Sequence, residues 1–411
     1  MDTVEFSEAL RQAVEAAKPV NRVETVFLER ALGRVTAEEI ICRKNLPSFD
    51  NSAMDGFALR HSDAGKRLRV AGTILAGEKR EPSLREGECY RIMTGAQVPS
   101  DADTIVPIEA CELHEEMVTV PSSLRVGANL RRRGEEQELG GVLIEAGTRL
   151  RPSHIAMLAA QGITALKVYA PLRIAILSTG NEIREPWELA SEDEIYNANA
   201  SAATALLQKF GFQPVYLGSL PDEPEKIAQA VAEFRAYDVV ISSGGISAGE
   251  ADFLEEIFVS EGLEWIVHGV RVKPGHPSKI GQMDSTLVFA LPGNPLATIL
   301  NLHLLGLPAL FRMQGMQDPY FPFVWAETEE SFAMKSHRSN LVLGRMYEGR
   351  FRAVRDNRVG SGMLTPWMES DCVAVFGEGV EAPKAGERIR VIRFDAEPSE
   401  AENRAFNLSR V

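Results

Sequence analysis

The sequence predicts a multidomain α/β protein whose central domain is a doubly wound, three-layer α/β/α sandwich. Between residues 172 and 311, four short apolar runs alternate with segments of helical spacing. Such alternation is typical of a parallel sheet that helices cover on both faces. Outside this region the apolar runs are broken by Gly and Pro, which indicates small β-rich domains. A chain of 411 residues is also too long for a single hydrophobic core.

The first part of the chain predicts a mixed region interrupted by a β-rich one. Apolar residues recur at helical spacing over 6–18, and residues 22–42 predict a second helical segment and a strand. Short apolar runs over 58–130 predict the β-rich region, and residues 152–161 predict another helix.

The central domain is predicted element by element from residue 172. Strands are predicted at 172–177, 214–217, 238–242 and 286–291, with helices at 197–210, 223–235, 251–261 and from 296. Short β segments with Gly turns over 323–394 then predict a second small β domain.

Composition narrows the class of protein. The chain has 58 acidic and 44 basic side chains and a net charge of -14, so we expect no nucleic-acid partner and no membrane surface. Its four cysteines form no C-x-x-C pair, and the N-terminus lacks a secretion signal. We therefore expect a cytoplasmic protein without structural zinc. The longest apolar segment, Ala297–Phe311, predicts a buried helix rather than a membrane span.

Residues 47–57, Pro-Ser-Phe-Asp-Asn-Ser-Ala-Met-Asp-Gly-Phe, are too polar for a core strand. They contain two carboxylates, Asp50 and Asp55, with an amide and a hydroxyl between them. One interpretation is a long polar turn with an Asx cap. The other is a functional loop, because a turn does not require this many polar groups. The residues of the loop alone leave both interpretations open.

Three strands of the predicted sheet run into corners rich in Gly and hydroxyl groups. These corners are Ser178-Thr179-Gly180, Ser242-Ser243-Gly244-Gly245 and Leu291-Pro292-Gly293-Asn294-Pro295. Doubly wound sheets bind ligands beyond the carboxyl ends of their strands, and free N–H groups at helix starts attract phosphate. Three such corners predict a nucleotide or another phosphate ligand. The sequence contains neither the dinucleotide fingerprint nor a P-loop motif.

Acidic residues follow the first three predicted strands: Glu182 follows 172–177, Asp222 follows 214–217 and Asp252 follows 238–242. Together they are candidates to hold Mg²⁺ between ligand phosphates, since that ion takes one or two carboxylates plus phosphate oxygens. Asp222 and Asp252 also stand where helix N-caps are expected, so each has a structural interpretation as well.

Basic residues give two further candidates. Lys273, in Lys-Pro-Gly, either offers a cation to the same edge or is a solvated lysine before a turn. Arg131-Arg132-Arg133 is either an anion site or a solvated loop. No Ser-His-Asp or Cys-His set stands out, so we expect reactivity to depend on a metal, a bound phosphate and positioned charges.

These motifs resemble those of the molybdopterin molybdenumtransferase family, which includes the C-terminal domain of gephyrin. They occur in the family's order along nearly the whole chain. The matching stretches are 49–56, 91–96, 131–135, 178–182, 242–247 with 249–252, 273–275, 291–295 and 360–362.

The resemblance implies a homodimer of four-domain protomers. Residues 1–46 plus 138–168 would form a discontinuous mixed domain, 47–137 an inserted β-rich domain, 169–316 the α/β molybdopterin-binding domain and 317–411 a β-barrel-like domain. It implies an enzyme of molybdenum-cofactor biosynthesis that uses Mg²⁺, hydrolyses adenylylated molybdopterin, releases AMP and inserts molybdate or tungstate. A molybdopterin adenylyltransferase is a candidate partner.

Motif positions carry the family's functional residues onto this chain. The implied catalytic residues are Asp55 and Thr94, contributed across the dimer cleft, with Glu182 and Asp252. Glu182, Asp222 and Asp252 are the implied metal ligands. The implied cofactor contacts are Ser178, Thr179, Gly180, Asp222, Ser243, Gly244, Gly245, Lys273, Pro292, Pro295, Ser361 and Arg131.

The chain departs from the family pattern at four places. Glu136 replaces an Asp, His276 replaces a Lys, Leu296-Ala297 lacks the usual hydroxyl, and only Arg345 supplies an arginine near residues 341–345. These positions are expected to hold the oxyanion, which favours Arg, Lys and hydroxyl donors. An alternative is therefore a molybdopterin-binding paralogue with weakened or lost oxyanion insertion. A nucleotide-binding enzyme of another pathway is a third hypothesis.

Overall fold

A computed structural model of the protein describes residues 3–78, 83–245 and 251–398, and for residues 251–253 the backbone only. It contains an α/β/α domain, a C-terminal barrel, a β-rich domain and a small mixed domain. The predicted fold class is confirmed.

The central sheet has six strands, four of which are parallel. The first parallel strand is Ile174–Thr179, the second Pro214–Leu220, the third Val239–Ser243 and the fourth Thr286–Leu291. Their spatial order is second, first, third, fourth, followed by antiparallel Lys279–Met283 and Glu264–Val267. The winding direction therefore reverses between the first and third strands, and such reversals open a crevice at the carboxyl ends.

Side chains of the parallel strands alternate between two cores. In the first strand, Ile174 and Ile176 face a core shared with the helix Ala198–Lys209. Ala175 and Leu177 face a second core, formed with the helices Pro224–Ala232 and Ala251–Ser260. Because helices cover both faces, the strand reads as a continuous apolar run rather than an alternating one.

The N-terminal helix Phe6–Ala16 packs in the central domain. Its buried residues Phe6, Leu10 and Val14 lie in the same core as the long helix Pro295–Met313. The predicted domain boundaries stay a prediction, but this helix departs from them, since they place residues 1–46 in the mixed domain. An apolar stripe indicates that a helix has a partner without identifying that partner.

The long helix Pro295–Met313 runs through the largest core and includes a π-helical segment, Leu302–Gly306. Of the residues that the structure describes, this is the one helix apolar and long enough to cross a membrane, and 94% of its apolar stretch is buried in the protein. The prediction of a buried helix over Ala297–Phe311 is confirmed.

The C-terminal domain is a closed five-stranded barrel. Its strands are Val324–Thr328, Ser339–Tyr347, Arg350–Ala353, Cys372–Phe376 and Arg388–Arg393. The second of these pairs with both the third and the fourth, so the ring has no open edge. A short helix, Thr365–Met368, connects two of the strands.

The strand Val270–Lys273 connects the central domain to the barrel. It pairs in parallel with Ser339–Tyr347, which places Lys273 opposite Asn340. Its other edge pairs with Val4–Glu5. The Lys-Pro-Gly motif therefore lies at the boundary between the two domains.

The inserted domain is a six-stranded sheet. Its strands are Gly56–Leu59, Arg67–Ile74, Glu88–Ile92, Thr104–Pro107, Glu112–His114 and Met117–Thr119. The short pair Asn51–Ser52 and Leu130–Arg131 lies at its base.

The mixed domain pairs Val23–Phe27 with Ala165–Tyr169, and Ile40–Ile41 with Val142–Ile144, beside the helix Pro152–Ala160. The predicted helical segment within 22–42 is wrong, because the chain forms a strand and a 3-10 turn there. Val23, Thr25 and Val26 are β-branched and favour an extended backbone.

Candidate anion-binding cleft

Buried side chains hold together the corners after the first and third strands. Ser178 Oγ and Ser243 Oγ lie 3.1 Å apart, and Asn197 Nδ2 donates to Ser178 at 3.1 Å. Both serines are at most 3% exposed. Their hydroxyls therefore fix the two corners to each other, and their direct contact with a ligand stays a prediction.

Glycine allows these corners to pack closely. At Gly244, where φ is 97°, a Cβ would lie 2.3 Å from the carbonyl oxygen of Thr179. At Gly245 it would lie 1.8 Å from Leu254 Cδ1, so a larger residue would displace its neighbours at both positions. Thr179 is itself 3% exposed. Asn199 Nδ2 donates to the Gly293 carbonyl at 2.8 Å, which adds the fourth strand's corner to the cluster.

Two of the three predicted metal ligands lie at the rim of this edge. Glu182 is exposed, and its carboxylate oxygens lie 2.9 and 3.0 Å from the place a Cβ of Gly180 would take. The Asp222 N–H donates to Asn181 Oδ1 at 3.2 Å, so the two corners meet. Asp252 lies in the helix Ala251–Ser260, and its side chain falls outside the described residues.

The acidic rim alone does not form a complete metal site. Within the described ranges, no three His, Cys, Asp or Glu side chains cluster closely enough to hold an ion. Asp222 is exposed and does not occupy the N-cap of the following helix, which is Glu223. Exposed carboxylates beside a glycine corner fit Mg²⁺ when phosphate oxygens complete its coordination.

A cavity of about 300 Å³, which we call the cleft, lies between the central domain and the barrel. Its lining includes three residues predicted from the sequence, Lys273, Pro292 and Ser361. It also includes His276, which the sequence analysis named as a departure from the family pattern, and Arg338, a basic residue that was not predicted. None of its lining residues is acidic.

The basic side chains of the cleft have no carboxylate partner in the part of the chain that the structure describes. This holds for Lys273, Arg338 and His276 alike. Lys279, six residues beyond Lys273, instead pairs with Glu255. Basic groups that are not paired with carboxylates attract anions, so the cleft is suited to an anionic ligand.

Arg338, rather than Arg345, is the barrel arginine at the cleft. Arg345 donates to the backbone carbonyl of Glu369 and does not line the cavity. The two arginines are seven residues apart, which corresponds to about 23 Å along an extended chain. Only the start of the strand Ser339–Tyr347 reaches the Lys-Pro-Gly segment. The expectation that Arg345 supplies the cation is wrong.

The barrel also covers the start of the long helix, where Pro295 is the first residue. The N–H groups of Leu296 and Ala297 donate to the carbonyl oxygen of Ser361 at 3.0 and 3.3 Å. The expectation that this helix start offers free N–H groups to phosphate is therefore wrong here. A carbonyl oxygen from a distant part of the chain satisfies them.

A second cavity, of about 660 Å³, lies beyond the first and second strands and was missed by sequence reasoning. Its lining includes Gly180 and Trp187, which is 75% exposed. Tyr216 Oη donates to Glu185 and accepts from Asn197 Nδ2. Burial, reinforced by Glu185, raises the pKa of Tyr216, so its hydroxyl keeps its proton. This network stiffens the floor of the cavity.

Asp55 and Thr94 form a pair in the inserted domain. Asp55 Oδ1 accepts hydrogen bonds from the backbone N–H and the hydroxyl of Thr94, each 2.7 Å long. These bonds, the backbone bond first, lower the pKa of Asp55. Because both bonds favour the charged form, this exposed carboxylate is ionised at neutral pH.

The arginine run is tied into the same loop. Asp50 accepts from Arg132 Nη1 at 3.0 Å and from the Arg133 N–H at 2.7 Å, and Arg131 lies 3.6 Å from Glu135. Among the hydrogen bonds and ion pairs of the described chain, none connects residues 50–133 to the central sheet. Asp55, Thr94 and Arg131 are therefore not joined to the cleft within one chain.

Comparison with known proteins identifies the family. Residues 4–162 match the model described as "MoeA N-terminal region (domain I and II)", 175–312 "Probable molybdopterin binding domain" and 326–394 "MoeA C-terminal region (domain IV)". A molybdopterin molybdenumtransferase of Haemophilus influenzae is 31% identical, over 95% of this chain and 98% of that protein. The chain belongs to the molybdopterin molybdenumtransferase family.

Two further relatives agree with this assignment. A protein of the same name from Bacillus subtilis is 29% identical, over 95% of this chain and 94% of that protein. The crystal structure of a molybdopterin biosynthesis moeA protein from Pyrococcus horikoshii superposes with a TM-score of 0.83 at 26% identity, over 95% of this chain and 100% of that one. The resemblance found in the motifs is confirmed.

Two of the four departures from the family pattern lie in the cleft. His276 and Ala297 line it, whereas Glu136 and Arg345 do not. The residues that sequence reasoning missed, Arg338 above all, carry no local motif. They reach the cleft because the strand Val270–Lys273 pairs with the barrel, and no signal in the sequence predicts that pairing.

Proposed function

We propose that this protein catalyses metal insertion in molybdenum-cofactor biosynthesis. Adenylylated molybdopterin is hydrolysed with Mg²⁺, AMP is released, and molybdate, or tungstate in its place, is transferred to the dithiolene sulfurs. One observation carries this proposal: a family member that covers 98% of a molybdopterin molybdenumtransferase has a cleft lined by basic side chains without carboxylate partners among the described residues.

The cleft is the proposed oxyanion subsite. A volume of about 300 Å³ is ample for one tetrahedral dianion and leaves space for the dithiolene end of a pterin. Lys273 and Arg338 are the proposed oxyanion ligands, because guanidinium and ammonium groups form charge-assisted hydrogen bonds with oxyanions. Pro292 and Ser361 line the wall, Pro295 begins the long helix, and the Ser361 carbonyl holds that helix start against the barrel.

The phosphates of the substrate are assigned to the rim formed by Gly180, Gly244 and Gly245. Glu182 and Asp222, with Asp252, are the proposed Mg²⁺ ligands at that rim. Bound there, Mg²⁺ would neutralise phosphate charge during hydrolysis. Ser178 and Ser243 are buried behind the rim and act by holding the two corners in register, and Thr179 is buried beside them.

We propose that the protein works as a homodimer, with Asp55, Thr94 and Arg131 entering the cleft of the partner protomer. Support comes from Asp55, whose carboxylate is exposed, ionised and without a described link to the sheet of its own chain. An ionised carboxylate in that position suits the orientation of water or of a metal-bound phosphate.

A turnover assay tests the proposal. The purified protein should release AMP from adenylylated molybdopterin only with Mg²⁺, and faster with molybdate or tungstate. Lys273→Gln should slow release, whereas Lys384→Gln, at an exposed lysine of the barrel, should not. Tight pterin binding without AMP release under either oxyanion would contradict the proposal.

A second candidate is a molybdopterin-binding paralogue with weakened or lost oxyanion insertion. Two observations favour it: His276 and the buried Ala297 line the cleft where the family pattern has a lysine and a hydroxyl. If it is correct, the double substitution His276→Lys and Ala297→Ser should raise turnover. Unchanged turnover in that variant would count against it.

The cellular setting is proposed on the same basis. We infer a cytoplasmic protein, supported by four cysteines that form no disulfide. A molybdopterin adenylyltransferase would supply the adenylylated substrate. Gel filtration of the mixed proteins with the pterin present should yield a co-eluting complex, and separate elution at micromolar concentrations would contradict stable docking.

A further inference from the structure

One ring nitrogen of His276 is committed to the backbone. Nδ1 lies 2.9 Å from the carbonyl oxygen of Val270, and the Val270 N–H donates to the His276 carbonyl at 3.0 Å. A carbonyl oxygen only accepts hydrogen bonds, so Nδ1 carries the hydrogen. In the neutral ring, Nε2 therefore has a lone pair and no hydrogen.

This tautomer determines what the ring offers to a ligand. A neutral His276 offers an anion a lone pair, which repels it. A doubly protonated His276 offers an N–H donor and a positive charge. The cleft thus contains two cations, Lys273 and Arg338, when the ring is neutral, and three when it is charged.

No acidic side chain lines the cavity with the ring. A neighbouring cavity that Lys273 also lines contains Asp356, Lys335 and Arg358. Lys273 lies in the same short stretch of chain as His276, and Arg338 precedes the barrel strand Ser339–Tyr347. The helix start and the loop over 357–361 bring only uncharged residues to the cleft: Asn294, Leu296, Ala297, Asn357, Val359, Gly360 and Ser361. On the strand behind, Arg271 is paired with Glu378 and stands opposite Glu5 of Val4–Glu5.

We propose that His276 makes oxyanion binding in the cleft dependent on pH, donating through Nε2 to a bound dianion only when the ring is doubly protonated. His276 is then an affinity-determining residue in which a proton supplies the charge that a lysine would carry permanently. The inference rests on the proposed function for the identity of the oxyanion, but its test requires binding alone.

Calorimetry of the protein with tungstate, and with sulfate as a second dianion, tests the proposal at about pH 6 and about pH 8, across the range in which imidazole rings titrate. Sulfate keeps its double charge over this range, so a change in its affinity reports on the protein. The wild type should bind about tenfold more weakly at the higher pH, as expected for one charge-assisted hydrogen bond.

Variants separate the ring from the rest of the cleft. His276→Lys should bind equally well at both pH values, and His276→Gln equally weakly. His337→Gln, at an exposed histidine next to Arg338 that does not line the cavity, should keep the wild-type ratio. If the His276 variants do not fold, Arg338→Gln should weaken binding at both pH values and preserve that ratio.

Several outcomes overturn the proposal. The wild type could bind equally well at both pH values or bind neither dianion. The affinity of His276→Gln could depend on pH, or Arg338→Gln could lose the wild-type ratio of affinities between the two pH values. If the wild type binds tungstate in the expected pH-dependent way but releases no AMP, the result contradicts the proposed function and supports this inference.

Discussion

The two ends of the central sheet use charge in opposite ways. At the amino end, Asp238 is 6% exposed, accepts from Arg22 Nη1 at 3.0 Å and from Arg173 Nη2 at 2.9 Å. At the carboxyl end, Lys273 and Arg338 line a cavity and have no carboxylate partner among the residues described. We call Asp238, Arg22 and Arg173 the closed network, because these charges satisfy one another and join the mixed domain to the sheet. Lys273 and Arg338, at the open end, are available to a ligand.

The pKa of Asp238 reflects this closed arrangement. Burial alone would raise it, but the hydrogen bonds from Arg22 and Arg173 outweigh burial and lower the pKa to about 2. Such a carboxylate stays charged at every physiological pH. A charge that its own chain satisfies stabilises the fold, whereas charged groups left without a partner in a cavity indicate a ligand-binding site.

Removal of the closed network should have the largest effect. Asp238→Ala removes the acceptor of the hydrogen bonds from Arg22 and Arg173 and should lower the free energy of unfolding by about 3 kcal/mol, measured by urea denaturation. Asp284→Ala breaks the exposed pair with Arg235 and should cost about 0.5 kcal/mol. Equal losses in the two variants would contradict the distinction between closed and exposed pairs.

The next largest effect should be a fall in the free energy of unfolding at acidic pH, caused by a buried histidine. Burial, with a smaller contribution from Lys209, lowers the pKa of His303 in the long helix from 6.5 to about 3. Between these values the unfolded chain binds a proton that the folded chain does not, so stability falls as pH falls. The expected loss is about 2 kcal/mol between about pH 6.5 and about pH 5.

Denaturation of His303→Gln at the same two pH values checks this expectation. The variant should lose the part of the pH dependence that His303 contributes, since glutamine does not titrate. Over the same range the oxyanion affinity of the cleft should rise as pH falls. Stability and affinity that move in the same direction would contradict the separation of the two histidines by role.

A substitution at the open end should weaken oxyanion binding and leave the stability of the fold unchanged. Arg338→Gln should raise the oxyanion concentration needed for half-maximal AMP release by about tenfold, which corresponds to about 1.4 kcal/mol. Its melting temperature should match the wild type, since no described carboxylate loses a partner. Arg345→Gln, at the arginine outside the cavity, is the matched control and should leave the oxyanion dependence unchanged.

Local patterns predicted the units of the central domain well. The four parallel strands are apolar runs, and the helices between them have apolar stripes, so these elements occur in the predicted order. The antiparallel strands Glu264–Val267 and Lys279–Met283 were not predicted. The corners also meet at one edge as expected, because parallel strands present their carboxyl ends together. These features depend on neighbouring residues in the chain.

Contacts between distant segments could not be predicted in the same way. The helix Phe6–Ala16 packs on the long helix, Ser361 covers that helix's start, and Arg338 reaches Lys273 through strand pairing across some sixty residues. None of these contacts has a local signature. The burial of Ser178 and Ser243 belongs to the same class, since it depends on which strands become neighbours.

The central claim is that Asp55 of one protomer completes the cleft of its partner. A heterodimer purified with two tags, one chain carrying Asp55→Asn and the other Lys273→Gln, tests it most directly. If the site is shared, one of the two clefts contains both native residues, and the heterodimer should release AMP at about half the wild-type rate. If Asp55 serves its own chain, both clefts are damaged, and a heterodimer as inactive as either single-variant homodimer would contradict the account.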